Sequence, residues 1–513
     1  MTDSPATGDR RAASHARLVA GVRAALSGPS GPALWRGVAG STLLMLGGFG
    51  AGAVPVDGGV AAAIGLPGYT FGHGEVLALV LVWTGVALLT TSWLALGPRA
   101  VAGRLPMRDA VCATALWSAP LLPAVPLFSR DAWSYLAQGA MASAGVSPYE
   151  FGPEAHPGPF TDEVSPDWRA TVTPYGPLHL LLMRGVVALS GGDPTVGVFV
   201  LRILVLFALA ALAALIVAAA RRVGVHAGAA VWAATASPLA IVHLSGGLHN
   251  EIFPLAACVA AVVLALDGRR LGAGAAIGVA VAVKATAVVV APFLLWILLA
   301  RRRRSAGGRP VPRACADTAL GGVTAAAVLV AISVASGTGT GWLDALAVSD
   351  RVVNYLSLPT AVAHLVHAFP GTPGFEDVLA PARTGGRVVL AGALVVAWWA
   401  HRRGTREALR GIVVALLLFV LLNSLAWPWY HVWVAGFWML ARPGGRVTTV
   451  AVAATVFLAL VIGPNGSTSL YSPPLVVAAL LAAVAAAWWW ARATADDGGP
   501  PTDVRTPSPA RAA

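Results

Sequence analysis

The sequence predicts an all-α, polytopic integral membrane protein. Of its 513 residues, 57% are hydrophobic and only 11% are charged, whereas a soluble domain carries roughly a quarter charged residues. Apolar runs recur along the chain at close to the roughly 20 residues that a helix needs to cross a bilayer. These runs do not alternate apolar with polar residues, as the strands of an outer-membrane barrel do. The net charge of +12 comes from arginines clustered between apolar runs, a pattern that follows the positive-inside rule and argues against nucleic-acid binding.

Taken in order, the elements begin with a polar stretch, residues 1–37, that carries Arg10, Arg11, Arg17, Arg23 and Arg36. It reads as a cytoplasmic tail, because no short apolar core with a small-residue cleavage site follows. Spans are expected at 38–56, 76–97, 110–128, 196–220, 228–246, 251–267, 271–284, 286–300, 314–335, 386–400, 411–427, 429–441, 446–463 and 473–492. That makes about 13–14 membrane helices, short or re-entrant ones included, in one transmembrane domain over 38–492. The remainder, 493–513, is low-complexity and reads as a disordered tail. No internal repeat is visible. Cys112, Cys258 and Cys315 have no paired spacing and read as small buried hydrophobes, so neither a disulfide nor a zinc site is expected.

The arginine groups at 99–108, 221–222, 269–270, 301–304, 402–410 and 442–446 fall on one face if two segments are short. Residues 176–190, which carry Arg184, are read as a surface-lying or re-entrant helix. Residues 271–300 are split near Lys284 into two short helices, since one long helix would put Arg301 to Arg304 on the wrong side. Two long loops, 129–195 and 337–385, then face away from the cytoplasm. Loops of this length are usually functional.

Several polar residues in this setting are candidates for chemistry. In "SRDAWSYLAQG", Ser129 is placed to cap a helix starting at Arg130, with Asp131, Tyr135 and Gln138 on one face. A carboxylate, a phenol and an amide in a row suit a polyhydroxylated molecule; the plainer alternative is a first-turn acid paired with Arg130. "GVSPYEFGP" and "TVTPYGPLHL" combine Pro and Gly, predicting ordered loops that fix Tyr149 and Tyr175, or interfacial anchors. "SGGLHNEIF" sets His249, Asn250 and Glu251 between two apolar spans, as ligands or as a connecting turn. Lys284 lies in a very apolar run, where a cation is costly unless it has a partner such as phosphate or snorkels to the interface. "LAWPWYHVW" packs Trp427, Trp429, Tyr430, His431 and Trp433 around Pro428, as a sugar or isoprenoid platform or an aromatic belt. "GGFGAG" and "GTGTG" lack the strand–loop–helix setting of a nucleotide loop.

Together, "SRDAWSYLAQG", "GVSPYEFGP", "TPYGPL", "HNE", the lone Lys284 and "WPWYHVW" resemble the actinobacterial polyprenol-phosphomannose-dependent α-1,6-mannosyltransferases, which are polytopic GT-C glycosyltransferases. The resemblance spans roughly residues 40–490. In that family the position of Glu251 is often aspartate. The resemblance implies a catalytic base at Asp131 in the first external loop and a polyprenyl-phosphomannose donor. It implies a lipid-linked mannoside acceptor of the lipomannan/lipoarabinomannan core and an inverting transfer at the plasma membrane. Under it, Lys284, His249 and Arg130 stabilise the leaving phosphate, and Tyr135, Gln138, Tyr149 and Tyr175 position sugar. Asn250, Tyr430 and His431 join the binding set, with the aromatics near the donor lipid. No cofactor and no metal are expected. Another lipid-phosphate-sugar transferase, or a flippase for a lipid-linked sugar, remains the competing expectation.

Overall fold

The computed structural model describes residues 16–17, 19–304, 309–345 and 353–495. Helices account for the described architecture, with one isolated bridge between Ile462 and Thr468. The principal helices are α1 (Gly31–Ala51), α2 (Gly72–Val101), α3 (Met107–Ser118), α4 (Asp131–Ser143), α5 (Pro177–Ser190), α6 (Pro194–Val223) and α7 (Ala227–Ala234). They continue with α8 (Ile252–Leu266), α9 (Arg270–Val283), α10 (Phe293–Arg304), α11 (Pro310–Ser336), α12 (Leu358–His367) and α13 (Phe375–Ala400). The last four are α14 (Thr405–Leu422), α15 (Val432–Trp438), α16 (Gly445–Leu460) and α17 (Pro473–Ala495). Six segments among the described residues are long and apolar enough to cross a membrane: α2, α6, Ala285–Arg304, α11, α13 and α17.

Local chemistry accounts for the ends. Helix α6 starts at Pro194, whose ring is pre-set for the first helical position. The Asp193 carboxylate accepts from Thr195 N (2.7 Å) and Val196 N (3.1 Å), which satisfies donors that lack an intrahelical partner. The same helix ends in Arg221 and Arg222 with Gly224 at φ 66°, an αL terminus with cations at the negative end of the dipole. Lys284 interrupts the 270–304 stretch: it is extended (φ −152°, ψ 123°) and a tight 3₁₀ turn, Ala285–Val290, follows. The expected division into two short helices is therefore present. Glycine lets α9 and α11 touch, since a Cβ on Gly274 would lie 2.1 Å from the Gly321 carbonyl oxygen.

Some boundaries differ from expectation. The first long helix opens at Gly31 instead of residue 38, because Pro32 sits in its first turn and Arg36 is held by Ser92 Oγ and Thr91 O of α2, each at 3.0 Å. Helix α13 begins at Phe375, inside the expected 337–385 loop, since Glu376 and Asp377 favour a helix start well before the apolar stretch. The helix after Ser129 starts at Asp131, not Arg130; Ser129 Oγ accepts from Asp131 N at 3.0 Å in a local turn. Helix α5 does not lie on the surface. It is inserted among α4, α6, α9 and α11, with Leu180, Met183 and Val186 buried and Arg184 bonded to the Ser336 carbonyl at 3.1 Å. Of the tail expected at 1–37, residues 16–17 and 19–37 are described and are mostly helical, running into α1 from Gly31, whereas the tail expected at 493–513 lies outside the described residues beyond Ala495.

The bundle has two distinct ends. At one, Arg222 pairs with Asp267, Arg301 donates to Leu266 O, Arg410 donates to Ala441 O, and Arg442 bonds Val223 O at 2.8 Å. The arginine clusters thus share a face, as their spacing predicts. At the other end, Ala53 bonds Pro126, Phe128 bonds Pro464, Gly176 bonds Val283, and Asn354 bonds Ala426. Between them, Trp93 and Trp232 stack at 4.7 Å and exchange indole-to-carbonyl hydrogen bonds of 3.0 and 2.9 Å. Trp490 of α17 also stacks on Trp232, at 5.7 Å.

Candidate active site

Two backbone segments meet at the arginine-poor end. Leu127 N donates to Gly246 O at 3.1 Å, joining the chain before α4 to the end of a π-helical turn, Ala240–Gly246. Phe128 and Leu248 then adopt positive φ, 61° and 62°, a costly conformation for large side chains that clusters at functional sites. The loop carrying Gly466 (φ 93°) closes behind; a Cβ there would sit 3.1 Å from Ser129 Cα.

These two segments deliver Asp131 and His249 to each other. Asp131 Oδ2 lies 3.5 Å from His249 Nδ1, with the carboxylate side chain 21% exposed and the imidazole fully buried. His249 stacks on Trp429 (3.8 Å between centroids, 15°), and Trp429 stacks on Trp427 (5.1 Å, 8°). The aromatic run therefore serves as a wall that fixes the imidazole plane. The pairing of Asp131 with Arg130, the plainer reading, is absent. Arg130 turns away, donating through Nη2 to Glu163 O (2.8 Å) and through Nη1 to Val54 O (3.1 Å). Glu163 in turn accepts from Val56 N at 3.0 Å, so Arg130 and Glu163 brace two loops over the site. Burial pushes the Glu163 carboxyl above its ordinary range, partly offset by the Val56 N–H and by Arg130.

A second layer lies beside this pair. Lys284, at the helix break, forms an ion pair with the fully buried Glu251. Its ammonium sits 4.3 Å from the Tyr430 ring centroid and 5.4 Å from that of Tyr175, within cation–π range. Gly176 allows this: its N–H bonds Val283 O at 2.9 Å, and a Cβ would come within 2.3 Å of the Ala282 carbonyl oxygen. Tyr135 meets Tyr175 and His179 edge-to-face (5.3 and 5.0 Å between centroids), and Tyr175 lies tilted against His179 at 4.5 Å. Asn250 Nδ2 meets His179 Nδ1 at 3.2 Å.

Asp131, Tyr135, Tyr175, His249, Asn250, Lys284 and Tyr430 are thus brought together. Three other predicted residues are committed elsewhere. Gln138 Oε1 accepts from Thr173 Oγ1 at 2.9 Å and ties α4 to the loop. Tyr149 donates to the Tyr175 carbonyl at 3.0 Å and packs with Leu180 and Trp342. His431 Nδ1 lies 3.3 Å from the Trp427 carbonyl of its own turn. Sequence reasoning missed His179, although it lies within "TVTPYGPLHL", as well as Glu163 and the tie between Glu251 and Lys284. It also missed the fully buried Arg202 in α6, although an ionisable residue inside an apolar run is itself a signal. Among the described residues no group of three His, Cys, Asp or Glu is arranged to hold a metal ion.

The arrangement can take a proton at a partly accessible carboxylate and hold an anion near a buried cation and imidazole, against stacked aromatic faces. Residues 34–300 match the family model described as alpha-(1->6)-mannopyranosyltransferase, N-terminal domain, and residues 359–492 match the MptB C-terminal domain. The chain is 37% identical to alpha-(1->6)-mannopyranosyltransferase A of Mycobacterium tuberculosis, over 87% of each chain. It is 34% identical to the protein of the same name from Corynebacterium glutamicum, over 84% of this chain and 92% of the relative. Alpha-(1->6)-mannopyranosyltransferase B of the latter organism is 28% identical over 77% of this chain and 71% of its own length. The all-helical, polytopic architecture and these matches agree: the chain belongs to the alpha-(1->6)-mannopyranosyltransferase family and is a membrane glycosyltransferase of the GT-C type.

Proposed function

We propose that the protein transfers mannose from polyprenyl-phosphomannose to the 6-hydroxyl of a lipid-linked mannoside acceptor of the lipomannan type, at the outer face of the plasma membrane. The observation that carries this reading is the Asp131 carboxylate, 21% exposed and set against the buried His249. Asp131 takes the proton of the acceptor hydroxyl as its oxygen attacks the anomeric carbon. The polyprenyl phosphate leaves from the opposite side, so a β-linked donor gives an α-linkage. Phosphate needs no strong acid as a leaving group, but it does need charge stabilisation in a site shielded from water. Lys284 supplies it: Glu251 and Tyr430 hold the ammonium in place, and its remaining N–H donor is directed to phosphate. His249 offers a second N–H donor. Tyr135, Tyr175 and Asn250 line the sugar, and the partly buried Trp427, backed by Trp429, takes ring C–H groups or prenyl. Arg130, Gln138, Tyr149 and His431 act by bracing the loops that hold these groups.

The orientation follows from charge. The arginine clusters mark the cytoplasmic end, so the opposite end faces outward, away from nucleotide sugars and toward lipid-linked ones. A flippase is the weaker reading, because its binding groups belong near the bilayer midplane, whereas here they gather in the loops of one end.

The test incubates purified protein with polyprenyl-phosphomannose and short α-1,6-mannosides, then determines product linkage. An α-1,6-mannosyl product is expected. Product from another lipid-phosphate sugar, with none from the mannosyl donor, would redirect the assignment within the class. Labelling of a cysteine placed in the 153–170 loop from the cytoplasmic side only would overturn the orientation.

A further inference from the structure

Arg202 stands in the third turn of α6, a helix whose most apolar window has mean hydropathy 3.0. It is fully buried. Its partners are four backbone carbonyls: Ala124 at 2.7 Å, Val125 at 3.1 Å, Gly246 at 3.3 Å, and Ser245. No carboxylate pairs with it among the described residues, and such burial of a cation is expensive.

The four acceptors belong to two interrupted chain segments. Ala124 and Val125 follow the 3₁₀ turn Ala119–Leu121, and Ser245 and Gly246 close the π-helical turn. Carbonyls at such ends lack intrahelical partners. From Val125 the chain runs through the strained Phe128 to Asp131; from Gly246 it runs through the strained Leu248 to His249. A single guanidinium therefore holds the roots of both segments. Its planar fork can bond two chains at once, which an ammonium point charge does with poorer geometry. A leucine at this position would suit the helix but take away the guanidinium donor of Ala124, Val125 and Ser245 and leave Gly246 O with Leu127 N alone.

We infer that Arg202 is a positioning residue of the transfer reaction, setting the Asp131–His249 spacing from the far side of the backbone. The inference rests on the reading of Asp131 as the base, and Asp131→Asn is assayed alongside. If that variant keeps full turnover, the base assignment fails whatever Arg202 does.

The decisive variants are Arg202→Lys and Arg202→Gln, purified and normalised to folded protein by gel filtration, with kcat and donor KM measured separately. A displacement of about 1 Å at reacting groups costs on the order of 10²-fold. The expected result is therefore a kcat lower by about 10–100-fold with donor KM within about twofold, and a milder loss for lysine than for glutamine. In the His249→Ala background the further loss should shrink to about threefold or less, because the spacing no longer has its second member. Unchanged kcat per folded molecule in either variant would overturn the inference. So would a full, multiplicative loss on top of His249→Ala, or failure of both variants to yield folded protein, which would assign Arg202 to folding alone.

Discussion

Arg222 and Asp267 form a two-point ion pair at the arginine-rich end, each side chain 35% exposed. Lys284 and Glu251 form a pair of the same chemical type at the other end, with exposures of 12% and 0%. Solvent supports the first pair, and losing it costs little. The second has given up its water and depends on its own geometry, with Glu251 Oε2 left without a hydrogen-bond partner. The contrast separates two uses of charge in one membrane protein. Exposed arginines gather at one end of the bundle, while a few buried groups are kept in a costly arrangement at the other; under the proposed function the first orient the chain in the bilayer and the second are completed by an incoming anion or sugar.

That comparison can be broken in graded steps. The largest effect belongs to Asp131→Asn, which should lower kcat by about 10²–10⁴-fold without loss of folded protein, read in detergent with saturating donor. Next, Lys284→Ala strands a buried carboxylate and should cost about 3–5 kcal/mol of stability, with an increased donor requirement. Adding Glu251→Gln should recover part of the stability and none of the donor affinity, as thermal unfolding and donor titration would register. Glu163→Ala removes the acceptor of the Val56 N–H and the partner of Arg130. It should loosen the loops by about 1–3 kcal/mol, visible as faster limited proteolysis between residues 153 and 170.

Glu163 also gives a pH signature. Its carboxyl titrates above the ordinary range when folded, so across that window the folded loop holds a proton that the unfolded chain has released. Loop stability therefore falls as pH rises through the window. Glu163→Gln should flatten that dependence. The smallest effect is expected of Arg222→Gln, about 0.2–1 kcal/mol, with transfer unaffected; a loss comparable to that of Lys284→Ala would remove the distinction between the two ends.

The same contrast explains what the sequence makes legible. The helix break at Lys284 is readable because the arginine count requires it and the local residues permit it. The shared face of the arginines is readable for the same reason. The motif residues Asp131, His249, Tyr175 and Tyr430 stand out as polar groups in apolar surroundings, and the fold brings them together. Partnership is less visible. That Asp131 faces His249, and that Arg130 turns to Glu163, depends on how distant loops close, and each side chain has several chemically reasonable partners in sequence. Gln138 and Tyr149 illustrate the limit: their spacing suits a sugar, yet nearby loop atoms, the Thr173 hydroxyl and the Tyr175 carbonyl, occupy them. Helix starts at Gly31 and Phe375 were misplaced because hydropathy marks the apolar stretch, whereas prolines and first-turn acids mark where the backbone begins to coil.

The Trp93–Trp232–Trp490 column has a consequence for biosynthesis. Its third member, Trp490, comes from α17, which is made after the helices that carry the other two. Until α17 leaves the translocon, one indole face of the column is open to acyl chains, and the nascent bundle should be an easier target for membrane proteases. A chain truncated before Pro473 should therefore insert with its usual orientation yet turn over quickly in the cell.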